Sequence, residues 1–178
     1  MSDSDIASLM LRATIGGTMV AHGVRHGRTL DGTAGWFKSI GFRQHRLQAT
    51  TSAVVEIGAG AALIAGAATP LAASAVVGTM AVAARSVHLA NGFFITGEGY
   101  EYVLNLGAAS VVLAALGPGR FSVDRLIGVD TKLTPARRVG LAAGLGLAAA
   151  AAQLAMYWRR PEPAAPSEPA TAGEQSAA

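Results

Sequence analysis

The residues of this chain best suited to chemistry are two histidines, an acid and an arginine, each inside or at the end of an apolar stretch. They are His22, Glu56, Arg85 and His88. Histidine and glutamate can exchange protons with a bound molecule, and an arginine can stabilise an oxyanion. These four groups could form one polar pocket if the fold brings them to the same depth.

The overall composition is typical of a membrane protein. Of the 178 residues, 51% are apolar and only 14% are charged, and the mean hydropathy is +0.39. Soluble proteins carry about 25% charged residues. The net charge of +3 is too small for the dense basic face of a nucleic-acid-binding domain, so we expect no nucleic-acid partner. The chain has no cysteine, which excludes Fe–S clusters and Cys-ligated zinc, so any electron carrier must come from another molecule.

Five apolar stretches are long enough to cross a bilayer as helices, which takes about 20 residues. They cover residues 6–24, 49–68, 71–90, 101–117 and 139–158. The fifth is mostly alanine and glycine, so a soluble or interfacial helix is the alternative there. We predict an all-α fold, a polytopic membrane four-helix bundle followed by a fifth hydrophobic helix. The start of the chain lacks the basic region of a secretory signal, so we expect the first span to be retained.

The predicted organisation has three parts. Residues 1–127 form the four-span core, residues 128–160 a basic linker with the fifth helix, and residues 161–178 a Pro- and Ala-rich tail that we expect to be disordered. In the basic first loop, Trp36, Phe37 and Ile40 share one helical face, so we expect that segment to lie flat in the membrane interface. Basic residues in the first and fourth loops nearly cancel under the positive-inside rule, which leaves the orientation open.

Antiparallel spans bring the polar residues to one side of the predicted bundle. His22 ends the first span, and Glu56 lies about 10 Å into the second from that side, at 1.5 Å per residue. Arg85 and His88 end the third span at the same level. A charge inside a bilayer needs a partner, so we predict an ion pair between Arg85 and Glu56, with Glu101 as the rival partner of Arg85. Three residues apart, Arg85 and His88 are expected to share one helix face.

The connection into the fourth span completes the candidate pocket with Asn91, Tyr100 and Glu101. One interpretation of the cluster is a structural ion pair that fixes helix register. Another is a pocket for a quinone or another lipid headgroup. Haem binding by two histidines on different spans is a weaker alternative, and metal binding by His22, Glu56 and His88 is weaker still. A transporter is disfavoured because the spans show no inverted repeat.

Several short motifs occur in an order that is typical of one protein family. The first span contains Arg12 and closes with His22-Gly23, and the second contains Glu56 followed by small residues. The most specific stretch follows, and it runs His88, Asn91-Gly92-Phe93-Phe94, Gly99-Tyr100-Glu101-Tyr102 and Gly117-Pro118-Gly119-Arg120-Phe121-Ser122-Val123-Asp124. By these motifs, residues 5–127 resemble the DoxX family of small bacterial membrane proteins. The long basic first loop, the fifth apolar stretch and the tail depart from the family pattern.

The resemblance implies a four-helix membrane core, and the family takes its name from a subunit of a thiosulfate:quinone oxidoreductase. We therefore expect a multi-pass protein of the bacterial plasma membrane that acts as a redox-associated subunit. It would bind a quinone in the polar pocket and dock a soluble or membrane redox partner protein on its basic first loop. Any enzymatic role would be that of a subunit of a membrane oxidoreductase. The alternative is a non-catalytic membrane scaffold or assembly factor.

Overall fold

The computed structural model describes residues 2–161, which form seven α-helices and two short 3₁₀ turns. The helices are α1 (Asp3–Arg28), α2 (Leu30–Ser39), α3 (His45–Ala65), α4 (Thr69–Ser86), α5 (Glu101–Leu116), α6 (Val123–Leu126) and α7 (Pro135–Tyr157). This part of the chain contains no β-strand, which confirms the all-α class. The predicted disordered tail lies outside the described residues from position 162 onward.

The five long helices α1, α3, α4, α5 and α7 correspond to the five predicted apolar stretches. By length and composition, α3 and α7 are the two helices of the described chain that could cross a membrane. α5 is apolar but shorter, and α1 and α4 are less apolar over their length. Helix composition therefore supports two spans, and the polytopic four-helix topology stays a prediction.

The third predicted stretch ends earlier than expected. α4 stops at Ser86, because Val87 adopts φ −127° and ψ −62°, and residues His88–Asn91 form a 3₁₀ turn. Arg85 thus lies in the last helical turn, while His88 lies outside the helix. The expectation that Arg85 and His88 share one helix face is therefore wrong.

α1 and α3 cross in backbone contact at a pair of glycines. A Cβ atom built on Gly16 would lie 2.6 Å from the carbonyl oxygen of Gly60, and one built on Gly60 would lie 2.6 Å from that of Gly16. Small residues at helix crossings are what membrane helices use to approach closely. Gly16 and Gly60 therefore allow the close packing of the two helices, whereas a Cβ on Gly17 or Gly58 would meet open space.

α7 packs along α4 and α5, and contacts at its middle and at both ends hold it there. At its middle, a Cβ on Gly146 would lie 2.6 Å from the carbonyl oxygen of Ser74 in α4. At its start, the Arg138 guanidinium donates a 2.9 Å hydrogen bond to a carbonyl near the end of α5. At its end, the Trp158 indole donates to the carbonyl of Ile40 at 2.8 Å. The fifth hydrophobic segment is thus packed into the bundle.

α2 lies against α3 and does not extend away from the bundle. We expected Trp36, Phe37 and Ile40 to face lipid together. Phe37 is instead buried, with its ring centroid 5.2 Å from that of Phe42, whereas Trp36 is 45% exposed. The expectation is wrong for Phe37, because the bundle offers this side chain an aromatic partner.

Arg12 connects α1 to two distant parts of the backbone. Its guanidinium is 3% exposed and donates four hydrogen bonds to carbonyl oxygens, at 2.6–2.9 Å. Leu63 and Ile64 in the last turn of α3 provide two of the acceptors, and Pro118 and Phe121 in the loop after α5 provide the other two. The last carbonyls of a helix receive no hydrogen bond from within the helix, so Arg12 supplies the missing donors. A cation at this end also interacts favourably with the helix dipole.

Asp124 has the complementary role at the start of α4. Its two carboxylate oxygens accept hydrogen bonds from the amides of Ala68, at 2.7 Å, and Thr69, at 2.9 Å. We expect Asp124→Asn to lower the free energy of unfolding by about 1–3 kcal/mol, because one buried amide then faces a donor. Thermal unfolding in detergent measures this change.

The matched control for this prediction is Asp31→Asn. Asp31 is exposed and pairs with Arg46 at the surface, where such pairs contribute about 0–1 kcal/mol. A loss of stability for Asp124→Asn that is no larger than the loss for Asp31→Asn would contradict the capping role.

Candidate functional site

A cavity of about 440 Å³ lies between α1, α2, α3, α4 and α5. Most of its lining surface is apolar, with Met19, Val55 and Leu106 among the lining residues, and polar side chains line the remainder. Small-molecule sites have volumes of about 300–1,000 Å³ and the same combination of apolar walls with a few polar groups. The cavity is therefore large enough for a small organic molecule or the headgroup of a lipid.

Glu56 provides the buried acidic group of this cavity. The residue is only 4% exposed, and the Ser52 hydroxyl donates a 2.9 Å hydrogen bond to its Oε1 atom. The Nδ1 atom of His26 lies 3.0 Å from Oε2, an ion-pair distance. The two atoms are not aligned for a hydrogen bond, so Oε2 has no hydrogen-bond partner among the described residues. A buried acceptor in this state is costly unless a further donor reaches it.

The hydrogen bonds of Ser52 fix the order of donors and acceptors around Glu56. The Ser52 oxygen lies 3.3 Å from His26 Nδ1. A hydroxyl has one proton, and Ser52 gives it to Glu56, so its oxygen accepts from His26. This order assigns a proton to His26 Nδ1 and gives a chain of donors from His26 through Ser52 to Glu56.

Three further side chains with polar groups line the opening of the cavity. The His22 ring stacks on Tyr102 with a centroid distance of 6.3 Å and meets the His26 ring edge-on at 6.4 Å. His88 lines the cavity from the turn after α4. Its Nδ1 atom lies 2.6 Å from the carbonyl oxygen of Glu98, which can only accept, so Nδ1 carries the proton.

Of the seven residues proposed from sequence, the structure places three on this cavity, namely His22, Glu56 and His88. The predicted ion pair between Arg85 and Glu56 is wrong, because His26 is the basic group beside Glu56. Arg85 faces α7, with its guanidinium 4.6 Å from the ring centroid of Trp158, and lines a second pocket there. Whether the three cavity residues bind a ligand stays a prediction.

Asn91, Tyr100 and Glu101 do not line the cavity, and instead shape the loop that joins α4 to α5. The Asn91 amide reaches the carbonyl of Glu98 at 3.4 Å, and the Tyr100 ring packs on Phe93 at a centroid distance of 5.4 Å. The Glu101 carboxylate accepts from a backbone amide of the same loop at 3.1 Å. Their contacts are within the loop, so Glu101 is not the partner of Arg85 either.

His26 and Ser52 are two residues of the site that were not predicted from the sequence. His22 and His26 lie four residues apart on α1, and Ser52 and Glu56 lie four residues apart on α3. Residues at this spacing share one helix face. These two four-residue spacings could have indicated both residues, but the predicted first span ended at residue 24, before His26.

The described residues contain no group of three His, Cys, Asp or Glu side chains that could hold a metal ion. The polar groups of the cavity are instead one carboxylate, several hydroxyls, a phenol, an amide, a guanidinium and imidazoles. These groups suit the oxygen atoms of an organic headgroup, which they can contact by hydrogen bonds.

Comparison with known proteins gives a family for the first part of the chain. Residues 7–89, slightly less than half of the chain, match the family model described as DoxX. No curated protein and no solved structure matched this sequence. The matched segment contains His22, Glu56, Arg85 and His88, whereas the specific motifs from Asn91 to Asp124 lie beyond it. This match confirms the resemblance seen in the sequence: residues 7–89 are similar to the DoxX family.

Proposed function

We propose that this protein is a multi-pass subunit of the bacterial plasma membrane that binds a quinone-type headgroup in the cavity beside Glu56. The observation that carries the proposal is the buried Oε2 atom of Glu56, which lies on an apolar cavity without a hydrogen-bond partner in the described chain. Its neighbours His26 and Ser52 are groups that can exchange protons with a bound oxygen.

Exposed apolar side chains on the outer faces of the helices support membrane insertion of more helices than α3 and α7 alone. Large apolar side chains are exposed along α1, α3, α5 and α7, and they include Met10, Val54, Leu104, Val112 and Leu147. Soluble monomers rarely expose contiguous apolar patches larger than a few hundred Å². In the proposed topology α1, α4 and α5 cross the bilayer beside α3 and α7, and these side chains contact acyl chains.

Redox chemistry at this cavity requires a partner protein. The chain has no cysteine to hold a metal cluster, so we place the electron carrier on that partner. The basic segment from the last turn of α1 to the start of α3, with Arg25, Arg28 and Arg43 exposed, offers an acidic protein a complementary surface. This surface borders the cavity, because Arg25 is one of its lining residues.

A cavity-filling substitution tests the proposed function. Ala83 lines the cavity on α4, and Ala83→Phe places a ring in the space where the ligand would lie. We expect the affinity for decylubiquinone in detergent to fall at least about tenfold, which corresponds to about 1.4 kcal/mol. Equilibrium dialysis of purified protein measures this affinity.

The matched control is Ala108→Phe, which adds the same ring on the exposed face of α5 away from the cavity. This variant is expected to bind like the wild type. Equal loss in the two variants would refute the assignment of the cavity. A wild-type protein that binds no quinone would favour the scaffold alternative, in which Glu56, Ser52 and His26 only fix the packing of α1 against α3.

A further inference from the structure

We infer that the cavity selects the hydroxyl-bearing, reduced form of its ligand over the oxidised carbonyl form. This inference rests on the proposed function and assigns the redox state that the site recognises. The recognising atom is Glu56 Oε2, which would accept a hydrogen bond from a ligand hydroxyl. A quinone has only carbonyl oxygens at this position, whereas its hydroquinone has hydroxyl groups.

The donors nearest to Glu56 already donate to protein atoms. Ser52 gives its one proton to Glu56 Oε1, and His26 Nδ1 gives its proton to Ser52. The nearest two groups therefore have no further proton on those atoms for a ligand oxygen. What the buried end of the cavity offers is an acceptor, because a carboxylate oxygen has lone pairs and no proton.

Glu56 Oε2 is buried and lacks a hydrogen-bond partner in the described chain, although His26 Nδ1 lies 3.0 Å away. A ligand carbonyl beside Glu56 Oε2 would place two acceptors together and exclude water from both. A ligand hydroxyl would instead form a hydrogen bond to a charged group, which is stronger than one between neutral groups. The expected difference in affinity between the hydroquinone and the quinone arises at this contact.

The donors at the opening do not distinguish the two forms. His22, Arg25 and Tyr102 carry protons that can be donated to a ligand oxygen, whereas the Nδ1 proton of His88 is committed to the carbonyl of Glu98. A hydroxyl oxygen accepts a hydrogen bond as a carbonyl oxygen does, so these donors fit both forms. Selectivity for the reduced form therefore depends on Glu56.

Three matched ligands test the inference with the full-length wild-type protein in detergent. They are decylubiquinone, its hydroquinone under anaerobic conditions, and the dimethyl ether of that hydroquinone. The ether keeps the reduced ring but cannot donate a hydrogen bond. We expect the hydroquinone to bind at least about tenfold more tightly than either of the other two, because an unpaired buried acceptor costs at least that factor.

Glu56→Gln provides the second measurement. The amide adds a donor in place of one carboxylate oxygen, so we expect the preference for the hydroquinone to disappear, with the quinone and hydroquinone within about threefold of each other. Glu98→Gln is the control, because Glu98 is exposed in the loop after α4 and its side chain does not line the cavity. That variant should keep the wild-type preference.

The outcomes separate this inference from the proposed function. If wild-type protein binds the quinone and the hydroquinone equally, the inference is overturned and the proposed function stands. If it binds none of the three ligands, the proposed function fails and the inference fails with it. If Glu56→Gln does not fold, the comparison of hydroquinone with its dimethyl ether on wild-type protein still decides the inference.

Discussion

Replacing Arg12 with alanine should lower the free energy of unfolding by at least about 3 kcal/mol. The guanidinium satisfies four carbonyl oxygens that belong to two separate parts of the chain. Polar contacts inside membranes contribute about 1 kcal/mol each, and hydrogen bonds to charged groups in water-soluble proteins about 1.5–3 kcal/mol. Loss of all four therefore has a large effect even at the lower value. Reversible unfolding in detergent micelles measures it.

The control for this prediction is Arg28→Ala at the end of the same helix. Arg28 is exposed, and its removal should change stability by about 0.5 kcal/mol or less. Arg12→Lys is expected to fall between the two, because an ammonium group is a compact donor that lacks the fork of the guanidinium. Equal losses for Arg12→Ala and Arg28→Ala would show that the four hydrogen bonds do not stabilise the bundle.

Adding one methyl group at the crossing of α1 and α3 should have the second large effect. In Gly60→Ala the new Cβ atom would lie 2.6 Å from the Gly16 carbonyl oxygen, so the two helices must separate. Overpacking a closely packed contact costs about 1–3 kcal/mol. Thermal unfolding in detergent should therefore show a clear loss of stability for this variant.

Gly58→Ala is the matched control on the same helix. A Cβ at Gly58 would meet nothing within 4 Å, so the substitution has only its effect on helix propensity, which favours alanine by up to about 1 kcal/mol. The two variants are expected to shift stability in opposite directions. Stability changes of the same sign and size in both variants would rule out a backbone contact at Gly16 and Gly60.

The positions of the helices could be predicted because length and apolar composition vary strongly along this chain. The residues 101–117 agree with α5 to within one residue, and the remaining four stretches each overlap a helix. The helix ends were less predictable, because they depend on local backbone conformation. The left-handed conformation of Gly66, with φ +66°, ends α3 before the predicted boundary, and the turn at Val87 ends α4.

The sequence could predict how far along each helix a candidate residue lies, but not the direction in which its side chain points. The rise per residue placed His22 and Glu56 in the same half of the bundle, and both line the cavity. The direction in which Arg85 points depends on how α4 is turned about its axis, and an Ala-rich helix has several faces of similar polarity. Packing of α4 on α7, where Gly78 and Gly146 approach closely, turns Arg85 toward Trp158. No pattern in a single sequence indicates the contact between Gly78 and Gly146.

The hydrogen bonds of Arg12 and the glycine crossing next to it have a consequence for how molecules reach the cavity. Together they hold α1 against the second half of α3, while His22 and the cavity lie at the first half of α3, where Gly23 also approaches Ala53 closely. In the proposed topology the cavity then lies in one half of the bilayer, and a molecule dissolved in the membrane would reach it from there. Exchange of a ligand between the membrane and Glu56 would then occur through one leaflet only, whichever way the protein is inserted.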